Sequence, residues 1–310
     1  MASRRAESSE LFQAAFNGDL NRTHELLEVS TVDIEEGHYK TKLSPLMGAA
    51  CNGFDDVVEL LLLYGADIFY KTPDGMTLLH FAASSGKANG RGTGFTMRVI
   101  LEMAKTDARI DVNAISPDGE TPLYRTLGSG TVDSMEQLLT FGVDTSLLNA
   151  EGKTCLQQMS GVGNLVKSEI LIRYMTNVDF QDKIGETALH KVASYGTQPP
   201  GSFIFARIPE RCTIAQLLMD KGADHSLRNI QHQTAYDSAI RKGRPQVAFV
   251  IKKEANRRAT IEAVCMALHP RLGLQSRMSW LDPGVLQMIL LGVDQLECEI
   301  KEGGGDDICE

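Results

Sequence analysis

Two histidines in closely similar local contexts are the first candidates for chemistry. His80 lies in DGMTLLHFAASSG and His190 lies in IGETALHKVASYG, each three residues after a threonine. A histidine beside a hydroxyl group can serve as a general base. Similar segments elsewhere carry other residues at or next to this place: Met47, Tyr124, Gln157 and Tyr236. A catalytic histidine would not vary so freely between copies, so we interpret both histidines as structural.

Other motifs that could support catalysis or metal binding fail on their spacing. The Gly-rich stretch GKANGRGTGF, residues 86–95, lacks the Gly-Lys-Ser/Thr ending of a phosphate-binding loop. The six cysteines include no CxxC pair, and no Cys/His cluster has zinc spacing. The sequence contains no G-x-S-x-G motif and no convergent pair of carboxylates. We therefore predict that the chain is not an enzyme and has no catalytic residue, cofactor or metal site.

The composition narrows the classes of partner and the compartment. The 310 residues include 31 Lys and Arg against 40 Asp and Glu, a net charge of -9, which argues against nucleic acid or an anionic membrane as the main partner. Most cysteines have apolar neighbours, as reduced thiols in a reducing compartment do. No signal peptide or membrane-spanning segment is visible. We expect a monomer in the cytoplasm, with the nucleus as the alternative.

A serine or threonine recurs at regular distances along the chain. The recurring residues are Ser44, Thr77, Thr121, Thr154, Thr187 and Thr234. Their successive spacings are 33, 44, 33, 33 and 47, so the period is 33 and two units are lengthened by 11 and 14 residues. A Leu-Leu or Leu-Met pair followed by Gly and Asp closes several units, as in VVELLLLYGAD, SMEQLLTFGVD and IAQLLMDKGAD. This regularity predicts an array of repeated structural units.

The repeat pattern resembles that of the ankyrin-repeat family over residues 8–256. The resemblance implies an all-α solenoid of about seven units, each a helix, a turn, a second helix and a β-hairpin finger. The hydroxyls of Thr77, Thr121 and Thr187 are placed to cap first helices, and in this family the histidine hydrogen-bonds within and between fingers. No unit can bury its apolar face alone, so stacking must stabilise the array.

Two units carry insertions, at residues 87–95 and 197–210. The distance from Thr77 to Val99 places nine extra residues before the second helix of that unit and two in the finger after it. The second insertion, GTQPPGSFIFARIPE, contains all 14 extra residues of its unit. Both are expected at the turn between the helices, on the edge away from the fingers. The apolar SFIFARI stretch either folds onto its own helices or docks a partner.

The resemblance also implies where a partner binds, because ankyrin arrays bind proteins on the concave side formed by fingers and first helices. The candidate contact residues on that side are Phe69, Tyr70, Lys71, Phe81, Arg125, Lys191, Tyr195 and Arg228. Aromatic and arginine side chains on a rigid surface are typical of binding hot spots. We therefore predict a scaffold or adaptor that binds a partner protein.

The chain after residue 256 departs from the repeat. Residues 257–300 are predicted to form a C-terminal helical segment, and the acidic, Gly-rich residues 301–310 a disordered tail. LDPGVLQMIL resembles the start of an F-box, with Asp282 where a proline is usual, and TIEAVCMAL before it resembles part of a SOCS box. Those families imply a substrate-recognition subunit of a cullin ubiquitin ligase, docking through Leu281, Leu286, Ile289 and Leu290. The other interpretation is that these helices cap the last repeat.

Overall fold

The array consists of seven successive helix pairs. A computed structural model describes residues 2–29, 32–38, 40–85, 94–194 and 208–268, and within these ranges the side chains of residues 10–261. The first helices of the pairs are α1 (Ala2–Asn17), α3 (Pro45–Asn52), α5 (Leu78–Ser84), α7 (Pro122–Arg125), α9 (Cys155–Val162), α11 (Ala188–Ser194) and α13 (Ala235–Arg241). The second helices are α2 (Leu20–Leu27), α4 (Asp55–Leu63), α6 (Phe95–Ala104), α8 (Val132–Phe141), α10 (Leu165–Tyr174), α12 (Ile208–Asp220) and α14 (Pro245–Leu268). We number the pairs as units 1 to 7.

The recurring hydroxyl residues begin the first helices. Ser44, Thr121 and Thr154 each accept a hydrogen bond from the backbone N–H three residues later, at 3.3, 3.2 and 3.2 Å. Glycines end several of these helices, and Gly53 and Gly163 adopt left-handed φ angles of 70° and 75°. Both devices satisfy backbone groups that a helix end leaves free. The starts of the helices therefore follow from local sequence.

One continuous apolar core runs through all seven units. It extends from Leu11 in α1 to Ile251 in α14. Small residues such as Ala49 and Ala83, both fully buried, allow neighbouring helices to approach closely. Each pair buries its apolar side chains against the pairs before and after it, as a solenoid requires. The predicted all-α solenoid is confirmed.

The segments that join one unit to the next are the fingers. We number each finger by the unit that it enters: finger 2 (28–44), finger 3 (64–77), finger 4 (105–121), finger 5 (142–154), finger 6 (175–187) and finger 7 (221–234). Gly75 and Gly119 form tight turns with φ angles of 68° and 72°. In the described parts of the fingers the only β-contact is an isolated antiparallel bridge between Lys71 and Thr77. The fingers therefore keep the predicted turns without forming the β-strands of a hairpin.

The helices of units 3 and 6 begin inside the predicted insertions. Residues 86–93 and 195–207 lie outside the described residues, between α5 and α6 and between α11 and α12. α6 begins at Phe95 and α12 at Ile208, so the last residues of the insertions predicted at 87–95 and 197–210 are helical.

The burial pattern of α6 also corrects the length of the first insertion. Thr96 and Met97 are buried in the way that Val57 and Val58 are in α4. Thr96 follows Thr77 by 19 residues and Val57 follows Ser44 by 13, so six extra residues precede α6 and five lie in finger 4. The prediction of nine extra residues before α6 and two in finger 4 was therefore wrong. It took Val99 as the equivalent of Val57, and Val99, three residues after Thr96, fits the helical period almost as well.

The last helix continues through the predicted domain boundary after residue 256. α14 has 24 residues, whereas the second helix of unit 2 has 9. At 1.5 Å per residue, the part of α14 beyond residue 256 is about 18 Å long. Residues 257–268 thus extend a repeat helix. Residues 269–310, with the predicted second C-terminal helix and tail, lie outside the described residues.

Candidate protein-interaction surface

His80 connects its own helix to the finger of the next unit. The backbone N–H of Thr77 donates to His80 Nδ1 at 3.2 Å, so this ring nitrogen accepts. His80 Nε2 lies 3.1 Å from the Glu120 carbonyl oxygen, so it carries the proton and donates. Burial lowers the pKa of His80, which favours this neutral form. The ring therefore serves as a fixed bridge between finger 3 and finger 4.

The same position makes the same connection in units 5 and 6. His190 Nδ1 lies 2.9 Å from Thr187 Oγ1, and its Nε2 lies 3.0 Å from the Gln233 carbonyl oxygen. In unit 5 a glutamine takes this role, because Gln157 Nε2 donates to the Phe180 carbonyl oxygen at 2.7 Å. An amide, like a neutral imidazole, offers one acceptor and one donor in opposite directions. The role thus depends on hydrogen bonding and not on acid–base chemistry.

Fingers 4 and 5 are held against each other at short range. Tyr124, at the corresponding place in unit 4, accepts a hydrogen bond from Asn149 Nδ2 at 2.6 Å. A Cβ atom added at Gly119 would lie 2.4 Å from the Ala150 backbone nitrogen, so the two finger backbones pack directly. Only glycine permits this approach. The finger side of the array is therefore a closely tied surface.

Finger 3 carries three of the predicted contact residues. The Arg109 guanidinium lies over the Phe69 ring, 3.8 Å from its centroid, which is a cation–π arrangement. The Tyr70 hydroxyl donates to the Lys42 carbonyl oxygen at 3.0 Å. Lys71 is exposed, whereas the two aromatic side chains are half-buried. Finger 3 thus presents two half-buried aromatic side chains, one of them beneath the Arg109 guanidinium of finger 4, next to the exposed Lys71.

The two basic residues predicted on first helices pair with carboxylates of their own fingers. Arg125 Nη1 lies 2.9 Å from Glu120 Oε2. Lys191 Nζ lies 2.6 Å from both Asp182 Oδ2 and Glu186 Oε2. Burial by itself lowers the pKa of Lys191, but the hydrogen bonds to the two carboxylates outweigh it, and the pKa is raised. Both cations therefore stabilise fingers before they contact any partner.

The remaining predicted residues differ widely in their exposure. Phe81 is only 8% exposed and Lys191 only 5%, so neither offers much contact area to a partner. Arg228 is exposed, and its Nη1 donates to the His232 carbonyl oxygen at 2.6 Å. Tyr195 lies outside the described residues.

Exposed aliphatic side chains on the fingers are absent from the set predicted above. Ile115 is 54% exposed, Leu148 45%, Ile184 44% and Ile230 65%. Ile115 and Leu148 each lie six residues before the capping threonine of their unit, so they occupy the same place on neighbouring fingers. Comparing the units position by position could have found this pair. Apolar side chains exposed together on a fixed surface are typical of interaction sites.

The part of the chain that the structure describes shows no metal-binding group and no reactive thiol. No cluster of three or more His, Cys, Asp or Glu side chains in this part could hold a metal ion. The described cysteines, Cys51, Cys155 and Cys212, are free, and burial raises the pKa of Cys155 to about 12. None of the described helices has the length and apolar character needed to cross a membrane.

Comparison with known proteins identifies the repeat. A family model for ankyrin repeats matches residues 11–91 in three copies. The crystal structure of the ankyrin repeat domain of Bcl-3, titled a unique member of the IkappaB protein family, is similar with a TM-score of 0.61 and 22% sequence identity. The similarity covers 78% of this chain and 97% of that one. The chain thus has the ankyrin-repeat fold, and its residues 11–91 match the ankyrin-repeat family. Ankyrin repeats form protein-interaction domains.

A curated relative matches part of this chain. Palmitoyltransferase AKR1 of Lachancea kluyveri is 27% identical over 133 residues, which are 43% of this chain and 17% of that protein. The ankyrin chain thus matches about a sixth of the length of this relative. The ankyrin fold is typically non-catalytic. The activity in that relative's name is therefore stated of that relative and not of this chain.

Proposed function

We propose that this ankyrin protein is a non-catalytic adaptor that binds a partner protein on the face formed by its fingers and first helices. The observation that carries the proposal is the pair of exposed aliphatic side chains, Ile115 and Leu148, on two tied fingers. A surface whose backbone is already fixed loses little conformational entropy on binding. Ile184 and Ile230 extend the apolar surface along the next two fingers.

The charge of the fingers supports a particular class of partner. The six finger segments contain 16 Asp and Glu against 9 Lys and Arg, a net charge of -7, while the whole chain has -9. Asp74 and Asp118 at the finger turns are exposed. Complementary charge guides encounter and orients a partner. We infer a partner segment that combines apolar anchors for the fingers with basic residues around them.

The test replaces the apolar anchors and compares a matched control. We expect the double variant Ile115→Asp, Leu148→Asp to bind its partner at least about tenfold more weakly, since two apolar contacts are lost. The control is Val166→Asp, because Val166 is 55% exposed on α10, at a place where α4 and α8 carry Asp56 and Asp133. Affinity purification with mass spectrometry would identify the partner, and calorimetry with the purified partner would measure both affinities. Equal affinity of the double variant and wild type, with unchanged melting temperatures, would refute the proposal.

The second function predicted from sequence is a substrate-recognition subunit of a cullin ubiquitin ligase. It depends on Leu281, Leu286, Ile289 and Leu290, which lie outside the described residues. Its support is the F-box and SOCS-box resemblance alone. Co-purification of a cullin-ligase adaptor with the full chain, and its loss in Leu286→Asp, Ile289→Asp, would favour this function. Absence of the adaptor from wild-type complexes would remove it.

A further inference from the structure

Partly exposed apolar side chains occupy one equivalent place on four successive second helices. This place lies seven residues after the first buried position of the helix, as Tyr64 follows Val57. Units 2 to 5 have an aromatic residue or a methionine there, and we call these four residues the outer row: Tyr64, Met103, Phe141 and Tyr174. Tyr64 is 42% exposed, Met103 37% and Tyr174 38%, and Phe141 is half-buried.

Two residues of the outer row contact the second helix of the preceding unit. The Tyr64 ring meets the His24 ring of α2 edge to face, with 6.0 Å between the ring centroids. The Tyr174 hydroxyl lies 3.2 Å from Thr140 Oγ1 of α8. The outer row therefore lies along the grooves between successive second helices, where neighbouring side chains hold it in place. Side chains that are already fixed lose little conformational entropy when a partner binds.

The groove between α6 and α8 is wide enough to receive a side chain from another molecule. A cavity of about 500 Å³ lies there, and Leu101 and Phe141 are among the residues that line it. This volume is within the range of about 300–1,000 Å³ that is typical of ligand pockets. Charged side chains of both signs also line the cavity: Arg98, Glu102, Lys105 and Glu136. An apolar side chain with charged neighbours would find contacts for both in this groove.

The charge of the second helices narrows the class of partner. α2, α4, α6, α8 and α10 contain 8 Asp and Glu against 4 Lys and Arg, a net charge of -4, and one of the four cations, Lys167, is buried. Glu59 and Glu102 are exposed on this side of the array. The negative charge repels nucleic acid and anionic membranes, whereas it attracts a protein segment with basic residues.

The spacing of the outer row fits an α-helix that runs across the grooves. The axes of packed helices lie about 8–10 Å apart, and each residue of the outer row is one second helix further along the array. Residues seven apart in an α-helix lie on one face, about 10.5 Å from each other. In a β-strand about the same distance separates residues three apart, whose side chains point to opposite faces.

We propose that the outer row binds an amphipathic α-helix of a partner protein. This helix crosses the second helices of units 2 to 5, places an apolar residue at every seventh position over the outer row, and has basic residues beside them. First helices pack against first helices and second helices against second helices, as α9 does against α11 and α10 against α12. The outer row belongs to the layer of second helices, so the proposal does not depend on the function of the fingers. An adaptor with both surfaces can hold two proteins at once.

A designed peptide tests the outer row on the full chain. The probe is a helical peptide with four leucines, one at every seventh position, and with lysine, glutamine and alanine elsewhere. The comparison peptide has the same composition, but its leucines are moved so that the seven-residue spacing is lost. We expect the probe to bind at least about tenfold more tightly in fluorescence anisotropy, since only the probe matches several grooves together. The methyl signal of Met103 should shift in NMR spectra when the probe is added.

A substitution in the outer row should weaken this binding. Lysine is already present at this place in unit 6, as Lys221, so the fold tolerates it. We expect Met103→Lys, Tyr174→Lys to bind the probe at least about tenfold more weakly, because two apolar contacts are replaced by charges that repel the basic peptide. The control is Ile240→Lys, Phe249→Lys, which adds the same charge in unit 7 at side chains that are 52% and 68% exposed. The control should keep the wild-type affinity.

Three results would overturn the proposal. The first is equal affinity of wild type for the two peptides, which requires no variant and so does not depend on whether a variant folds. The second is an equal change of affinity in the outer-row variant and in its charge-matched control, because net charge alone would then explain binding. The third is loss of probe binding in Ile115→Asp, Leu148→Asp with no shift of the Met103 methyl signal in wild type, because the helix would then bind the fingers.

Discussion

Different types of side chain cover the turn between paired helices in the two halves of the array. In the N-terminal half, the Phe54 ring lies over Gly18 in the turn of unit 1, and a Cβ atom added at Gly18 would lie 2.4 Å from that ring. In the C-terminal half, Arg211 lies over Gly163 in the turn of unit 5, where an added Cβ atom would lie 3.3 Å from Arg211 Nε. The two covering residues occupy equivalent places, because Phe54 lies three residues before the buried Val57 and Arg211 three residues before the buried Ile214. One position thus serves apolar packing in one half and a buried cation in the other.

The buried arginines donate to backbone carbonyl groups in the last turns of neighbouring first helices. Arg211, 1% exposed, donates from Nη2 to the Gly161 carbonyl oxygen at 2.6 Å and from Nη1 to Val192 at 3.1 Å. Arg244 donates to the Val192 and Ala193 carbonyl oxygens at 3.3 and 3.4 Å. Arginine donors therefore satisfy carbonyl groups near the C-terminal ends of α9 and α11.

Lys167 makes similar contacts to carbonyl groups after α7, the shortest of the described helices. α7 has only four residues, and Lys167 Nζ donates to the carbonyl oxygens of Thr126, Leu127 and Gly130 at 2.5, 3.1 and 3.1 Å. Burial lowers the pKa of Lys167. The comparison teaches that a cation from one unit can satisfy buried carbonyl groups at the helix ends of a neighbouring unit.

The largest expected effect is the loss of Arg211. Arg211→Met should destabilise the array by about 3 kcal/mol, because two buried carbonyl groups lose their donors. Phe54→Met, at the same place in unit 2, should cost only about 1 kcal/mol, since an apolar side chain of similar volume replaces the ring. Urea denaturation followed by circular dichroism would measure both. Equal losses would contradict the distinction between the two halves.

A smaller difference in stability is expected between substitutions of Gly18, which lies beneath Phe54, and Gly163, which lies beneath Arg211. Gly18→Ala should cost about 2 kcal/mol, because the alanine both adopts a φ angle of +74° and displaces the Phe54 ring. Gly163→Ala should cost about 1 kcal/mol, since its contact is looser and the φ angle of +75° dominates.

A double-mutant comparison sharpens this prediction. In a Phe54→Ala background, Gly18→Ala should also cost only about 1 kcal/mol, because the ring is gone. An unchanged cost in that background would show that the ring is not the source of the difference.

The smallest effect concerns the pH dependence from His80 and His190. Burial lowers the pKa of both, so the unfolded chain binds more protons in acid. Their contribution to stability is complete above the unfolded pKa of about 6.5 and is lost as the pH falls through the lower folded values. In the double variant His80→Gln, His190→Gln, the free energy of unfolding should fall less than in wild type between pH 7 and pH 5. The difference should be on the order of 1 kcal/mol.

Gln157 is the natural control for these substitutions, because a glutamine already makes the same bridge in unit 5. The double variant should therefore keep its stability at pH 7.5. Thermal melts at both pH values would check the prediction, and an identical acid loss in wild type and variant would count against it.

Much of the fold could be predicted because the same short-range sequence signals recur in successive units. The 33-residue period and the capping hydroxyls were sufficient to predict the helix pairs. The start of α6 was not predictable to the residue, since the apolar residues around Val99 fit the helical period in two registers. The length of α14 was also missed, because no proline or glycine near residue 256 marks an end to it.

By itself, the sequence determined the repeat, the helix starts and the places of the finger turns, because each depends on residues only a few positions apart. Only the tertiary structure decided which finger side chains a partner can reach. Phe81 is buried and Ile115 exposed, although both are apolar residues on the predicted binding side. It also decided that Arg211 joins carbonyl groups 19 and 50 residues away in the chain. Such contacts arise when units stack, and no local pattern of residues specifies them.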